Sequence, residues 1–239
     1  MMSSAVGRET IIELVELTKE FGEGEALVRA LRGINVTIKR GEFVAIMGPS
    51  GSGKSTCMNV LGCLDRPTSG RYLFAGTDVG QLEAEQLALL RRHYLGFVFQ
   101  GFNLLGRTTA LENVELPLLY RSVPAAQRRQ RALKALHEVG LEGRENHTPA
   151  ELSGGQQQRV AFARAIVSDP VVLLADEPTG NLDTQTSEEI MNLMTDLNQR
   201  LGITILMVTH EPEMAGYADR LIVFRDGLVQ SDGNVAKAA

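Results

Sequence analysis

The chain has 239 residues, 44% of them apolar and 22% charged, with a formal net charge of −5. This is the composition of an ordinary globular protein long enough for one large domain, and its acidic balance gives no electrostatic reason to expect nucleic acid as a partner. No apolar run approaches the length that spans a bilayer, and residues 1–8 lack the apolar core of a signal peptide, so the expectation is a cytosolic chain with a flexible N-terminus. Cys57 and Cys63 lie six apart on one predicted helix and point to different faces. They read as small core residues, not as a disulfide or a metal pair.

In chain order, Ile11 to Leu17 reads as a short strand, and Ala30 to Ile38 alternates as a second. Lys39 to Glu42 turns into the apolar run 43–47, a buried strand. A helix is predicted over 55–64, ending before Pro67, then a strand over Arg71–Ala75 with a turn at Gly76. Glu83 to Arg92 is a short helical pattern, and 96–99 a strand closed by Gln100. Residues 101–150 carry no strong strand signal and read as helices broken by Pro117, Pro124 and Pro149. The clearest is Ala125–Val139, with Ala132, Leu133, Leu136 and Val139 on one face and Gly140 as its stop. Its basic residues Arg128, Arg129, Arg131 and Lys134 read as a solvated face, with lipid headgroup contact a minor alternative. The α/β pattern then resumes: helix 156–168, buried strand 171–175, helix 184–201, buried strand 203–208, and strand 220–224 with Asp226-Gly227 as a hairpin turn. The expected architecture is one α/β domain over residues 9–239. It has a mainly parallel sheet, an N-terminal antiparallel β subdomain and a helical subdomain inserted at about 101–165.

One stretch carries the chemistry. Gly48-Pro49-Ser50-Gly51-Ser52-Gly53-Lys54-Ser55-Thr56 fits G-x-x-x-x-G-K-[ST], with a buried strand before it and a helix after it. Glycines let backbone N–H groups turn inward around phosphate oxygens, Lys54 reaches the terminal phosphates, and the Ser55 hydroxyl can ligate Mg²⁺. The helix start adds its positive dipole end.

Four predicted buried strands end in polar residues: in this loop, in Gln100, in Asp176-Glu177, and in Thr209-His210. Ligands of open parallel sheets sit beyond the carboxyl ends of the strands, so these groups are expected to converge on one nucleotide. Asp176 suits a Mg²⁺ held through water, and Glu177 can orient or deprotonate an attacking water. His210 becomes a candidate γ-phosphate sensor. Leu152-Ser153-Gly154-Gly155-Gln156 contains the S-x-x-Q capping box and opens a helix with two glycines, a second anion-binding helix start.

Taken together, these stretches resemble ATP-binding-cassette ATPases over nearly the whole chain. Gly48–Thr56 matches Walker A, Gln100 the Q-loop, Leu152–Gln156 the family signature, Val172–Glu177 Walker B, Asn181-Leu182-Asp183 the D-loop, and His210 the switch histidine. The resemblance implies ATP and Mg²⁺ as cofactors. It assigns catalysis to Glu177, His210 and Lys54, the metal to Ser55, Gln100 and Asp176, and adenine stacking to Phe21. It also implies a head-to-tail homodimer in which Ser153, Gly154, Gly155 and Gln156 cap the nucleotide held by the other copy.

The stretches 58–70 and Pro178–Asp183 are similar to a subgroup serving macrolide export, lipoprotein release and cell division. That likeness implies an integral membrane permease as partner, an adaptor protein, and a peripheral place on the cytoplasmic face of the inner membrane. Export or extraction of a membrane or periplasmic client is then the expected work. A regulatory cassette driving a transmembrane activator of cell-wall hydrolases is the alternative, and the subgroup likeness disfavours a soluble scaffold of iron–sulfur assembly. The loop after Gln100 is expected to line the permease groove with Phe102 and either Leu104 or Leu105.

Overall fold

The N-terminal alternation forms two long antiparallel strands, β1 (Thr10–Phe21) and β2 (Val28–Lys39), in the computed structural model, which describes residues 9–235. The expectation for residues 1–8 lies outside the described residues. After the turn come β3 (Phe43–Met47) and helix α1 (Lys54–Leu61). β4 (Ser69–Phe74) and β5 (Thr77–Asp78) complete an antiparallel sheet of order β2-β1-β4-β5. Helix α2 (Ala84–Tyr94) leads into β6 (Leu95–Phe99). Three helices follow, α3 (Ala110–Tyr120), α4 (Ala125–Glu138) and α5 (Gly154–Ile166). The chain then returns through β7 (Val172–Asp176), α6 (Thr184–Leu201), β8 (Thr204–Val208), α7 (Pro212–Ala215), β9 (Arg220–Arg225) and β10 (Leu228–Asn234).

The second sheet has the order β10-β9-β3-β8-β7-β6, parallel throughout except for the terminal β9–β10 hairpin. Its strands are unbroken apolar runs because both faces are covered. Phe43 and Ala45 enter a core shared with α3–α6, whereas Val44 and Ile46 enter one shared with β1, β2, β4 and α1. The register pairs Ile46 with Val208, Val208 with Asp176, and Asp176 with Phe99. Four carboxyl ends therefore lie side by side, and the polar residues that follow them emerge along one edge of the sheet.

Three local expectations need correction. Pro117 does not break a helix: it lies inside α3. A Thr109–Glu112 capping box starts that helix, and Ala110, Leu111, Val114 and Leu118 bury its face, which outweighs one missing N–H so near the end. Leu133 is 38% exposed, and Ala135 joins Ala132, Leu136 and Val139 in the core. At 100° per residue, position 133 is a quarter-turn away from 132, whereas 135 and 136 flank it. α1 stops at Leu61, not 64, because Cys63 turns left-handed at φ 54°. Both cysteines are free and buried, and burial pushes the Cys57 thiol up to about 12. The basic face of α4 is solvated and partly paired, Arg131 with Asp169 and Lys134 with Glu138.

Candidate functional site

The loop from β3 to α1 holds a shape that only glycine permits at two points. Gly48 has φ 150°, and a Cβ there would lie 2.2 Å from the Phe224 carbonyl oxygen; Gly53 has φ 102°, with a Cβ 2.5 Å from the Ala30 oxygen. Lys54 opens α1 and folds back over the loop, where its buried ammonium donates to the carbonyls of Gly48 (2.7 Å) and Pro49 (2.9 Å). Ser52 is buried and does not line the cleft. Its carbonyl accepts from the Gly227 N–H at 3.1 Å, which anchors the loop to the β9–β10 turn. Every other residue of 48–56 lines a cleft of about 1160 Å³.

The far wall of this cleft carries Phe21, 45% exposed, at the end of β1. Lys19 sits 4.8 Å from its ring centroid and is itself tied to Asp65 at 2.7 Å, which holds the ring in place. Val28, Arg29 and Arg32 of β2 and Asp226 also line the cleft. Sequence reasoning missed them: the two arginines sit in an alternating strand with no motif, and Asp226 registers only as a turn residue.

Glu177 follows the last residue of β7 in a left-handed conformation, φ 46°. Its N–H donates to the Val208 carbonyl at 2.9 Å, and its Oε1 accepts from His210 Nδ1 at 3.0 Å. Both side chains line the cleft. Asp176, beside them, has its carboxyl raised above the ordinary 3.8 by burial first and Glu177 second, while Lys54 pulls it down. Among the described residues no cluster of three His, Cys, Asp or Glu side chains is placed to hold a metal. Ser55 and Asp176 offer hydroxyl and carboxylate oxygens, hard donors that fit a Mg²⁺ completing its shell with water and phosphate, and the Gln100 amide oxygen could join them only after its side chain leaves Asn181.

Gln100 stands at the adjacent strand end but is turned away from the cleft. Its Nε2 donates to Asn181 Oδ1 at 3.3 Å, and Asn181 Nδ2 donates to the Gln100 carbonyl at 3.0 Å. Ser153 caps α5 as expected, with the Gln156 N–H reaching Ser153 Oγ at 3.3 Å and the Ser153 N–H reaching Gln156 Oε1 at 3.0 Å. Ser153, Gly155 and Gln156 line a separate depression with Arg144, Arg159 and Thr186, and it shares no residue with the first cleft. The two helix starts therefore do not face one ligand within a single chain.

A groove of about 610 Å³ runs between the sheet and the helical part, lined by Leu64, Phe97, Phe99 and Tyr120 with Arg91, Arg92 and Arg164. Neither Phe102 nor Leu104 or Leu105 lines this groove; from this loop only Asn103 does. Phe102 and Asn103 are both left-handed, φ 58° and 52°, and the turn they make redirects the chain. Leu104 packs on the larger core, and Leu105 stays half-exposed outside the groove.

A family model described as ABC transporter matches residues 31–180. The chain is 52% identical over 224 residues, 94% of its length, to a macrolide export ATP-binding/permease protein, MacB, of Vibrio parahaemolyticus, of which it covers 34%. It thus spans about a third of the length of that relative. A relative of nearly equal length, an uncharacterized ABC transporter ATP-binding protein of Thermotoga maritima, is 52% identical over 92% of this chain and 94% of its own. Among solved structures, the ATP-binding cassette MJ0796, dimeric in a post-hydrolysis state with ADP and phosphate, superposes with a TM-score of 0.86. It shares 46% identity and covers 95% of this chain and 99% of that one.

Proposed function

Because the chain belongs to the ABC transporter family, we propose that it is an ATP-hydrolysing subunit that energises a membrane permease from the cytoplasmic face of the cell membrane. The observation that carries this reading is the split site: one cleft holds the phosphate loop, Glu177 and His210, and the helix start at Ser153 lies apart from it. Two copies arranged head to tail would set each Ser153–Gln156 helix start over the nucleotide of the other. The dimeric MJ0796 cassettes support a dimer.

Within each cleft the residues divide the work. Lys54 exchanges the Gly48 and Pro49 carbonyls for phosphate oxygens, a charge-assisted contact that replaces neutral ones. Phe21 stacks on the base. Glu177 orients and deprotonates the attacking water, and His210 fixes its carboxylate through Nδ1. A Mg²⁺ ion would supply positive charge to the phosphate oxygens, and Ser55 and Asp176, with Gln100 once it leaves Asn181, would hold it.

The permease is the remaining partner. The relatives named as ATP-binding/permease proteins support one, and their name favours export of a client. The apolar lining of the groove of Leu64, Phe97, Phe99 and Tyr120 supports that groove as its docking site. The test combines hydrolysis with mass. The purified chain should hydrolyse MgATP, and Glu177→Gln should bind ATP without turnover and run as a dimer in light scattering. A monomer that holds ATP under those conditions refutes head-to-tail closure.

A further inference from the structure

The loop that carries Gln100 is gripped from an unexpected place. Arg164 of α5 sends its guanidinium to two consecutive carbonyls of that loop, Nη2 to Phe102 at 2.8 Å and Nη1 to Asn103 at 2.6 Å. Both acceptors belong to left-handed residues, a conformation that asparagine tolerates at 103 but that is costly for Phe102 and persists there only when surrounding contacts hold it. A planar guanidinium spans two adjacent carbonyls as a fork, which an ammonium cannot reproduce. Burial alone weighs on this cation, lowering its pKa.

The same helix grips the other side. Gln158 is fully buried on α5 and donates Nε2 to the Pro178 carbonyl, just before Asn181. Gln100 and Asn181 are the two side chains that meet between these loops. Gly180 is where a Cβ would stand 2.7 Å from Gln100 Nε2, so the contact is close-packed. α5 begins at the Ser153 cap, so one rigid helix joins that cap to both loops.

We propose that Arg164 is a positioning residue for Gln100: it holds the carbonyls of Phe102 and Asn103 so that Gln100 can leave Asn181 and turn to the metal–nucleotide without the loop losing its shape. Arg164 also lines the groove between the sheet and the helices, so a segment docked there touches the residue that sets Gln100. The inference rests on the reading of the chain as a MgATP hydrolase.

The test uses the full chain with Arg164→Met and Arg164→Lys. For each, three quantities are measured: binding of a fluorescent ATP analogue without metal, kcat and KM for MgATP, and the Mg²⁺ concentration for half-maximal rate. Arg164 does not line the nucleotide cleft, so metal-free binding should be unchanged in both. Loss of positioning should lower kcat of Arg164→Met by about 10- to 100-fold and raise its Mg²⁺ requirement. Arg164→Lys should lie between Arg164→Met and the wild type. Wild-type kcat and Mg²⁺ dependence in Arg164→Met overturn the proposal, as does a loss of metal-free binding in step with kcat, the mark of a merely structural staple. Where Arg164→Met does not fold, Arg164→Lys is read by the same split, and identity with the wild type overturns the two-carbonyl grip. A wild-type chain that hydrolyses no MgATP overturns instead the functional reading beneath it.

Discussion

Glycine and alanine at position 177 should reverse their usual order of stability. Glu177 sits at φ 46°, held there by its N–H bond to the Val208 carbonyl, which also aims its carboxylate into the cleft. A left-handed residue with a Cβ costs about 1–2 kcal/mol. Alanine keeps that cost, whereas glycine escapes it and loses about 0.5–1 kcal/mol in backbone entropy instead. Glu177→Gly should therefore exceed Glu177→Ala by about 0.5–1 kcal/mol. For a chain of this size that is about 1–4 °C in Tm, readable by thermal unfolding followed with circular dichroism. Both variants remove the carboxylate and leave His210 Nδ1 without its partner, so neither should turn over ATP. An alanine variant as stable as the glycine variant would show that residue 177 is not held in the left-handed region. No strain would then be stored in aiming this carboxylate.

Removing the ring in Phe21→Ala should weaken ATP binding by about 1–3 kcal/mol, the worth of one base–aromatic stack, with kcat at saturation little changed; titration of a fluorescent ATP analogue checks it, and wild-type affinity would place the base elsewhere. Asp176 has a carboxyl raised by burial, so its charge costs the folded chain stability above its folded pKa and nothing below the unfolded value of about 3.8. Asp176→Asn should accordingly melt above the wild type at neutral pH, with the gain vanishing as pH falls towards 3.8; a gain that persists or grows on acidification contradicts the sign. Tyr120→Glu, at a residue 67% exposed on the groove, should leave folding and MgATP hydrolysis intact and abolish co-purification with the permease, and retained co-purification would move the docking site.

The phosphate loop, the carboxylate pair, the capped helix at Ser153 and the two-part α/β plan were legible because each is written in local chemistry. Glycines at 48 and 53, a lysine at 54 and an apolar run before them state their backbone and their ligand without reference to the rest of the chain. The capping box of Ser153 and Gln156 is a four-residue device and behaved as one. Pro117 and Leu133 are not legible locally, for the opposite reason. A helix tolerates a late proline when its buried face holds it, and which face is buried depends on what lies opposite.

Side-chain partners across loops were beyond sequence reasoning altogether. Nothing near Gln100 names Asn181, and nothing near Arg164 names Phe102 and Asn103, because those contacts join segments about 60 to 80 residues apart. The same holds for Arg29, Arg32 and Asp226 in the cleft. By itself the sequence determined which strands are buried and which polar residue ends each of them. Only the tertiary structure decided that β3 lies beside β8, β8 beside β7 and β7 beside β6, which brings the phosphate loop, His210, Glu177 and Gln100 into one row. Strands covered on both faces are all apolar runs of about the same length, so composition cannot rank their neighbours. Their order follows from how the connecting helices pack, a property of the whole chain.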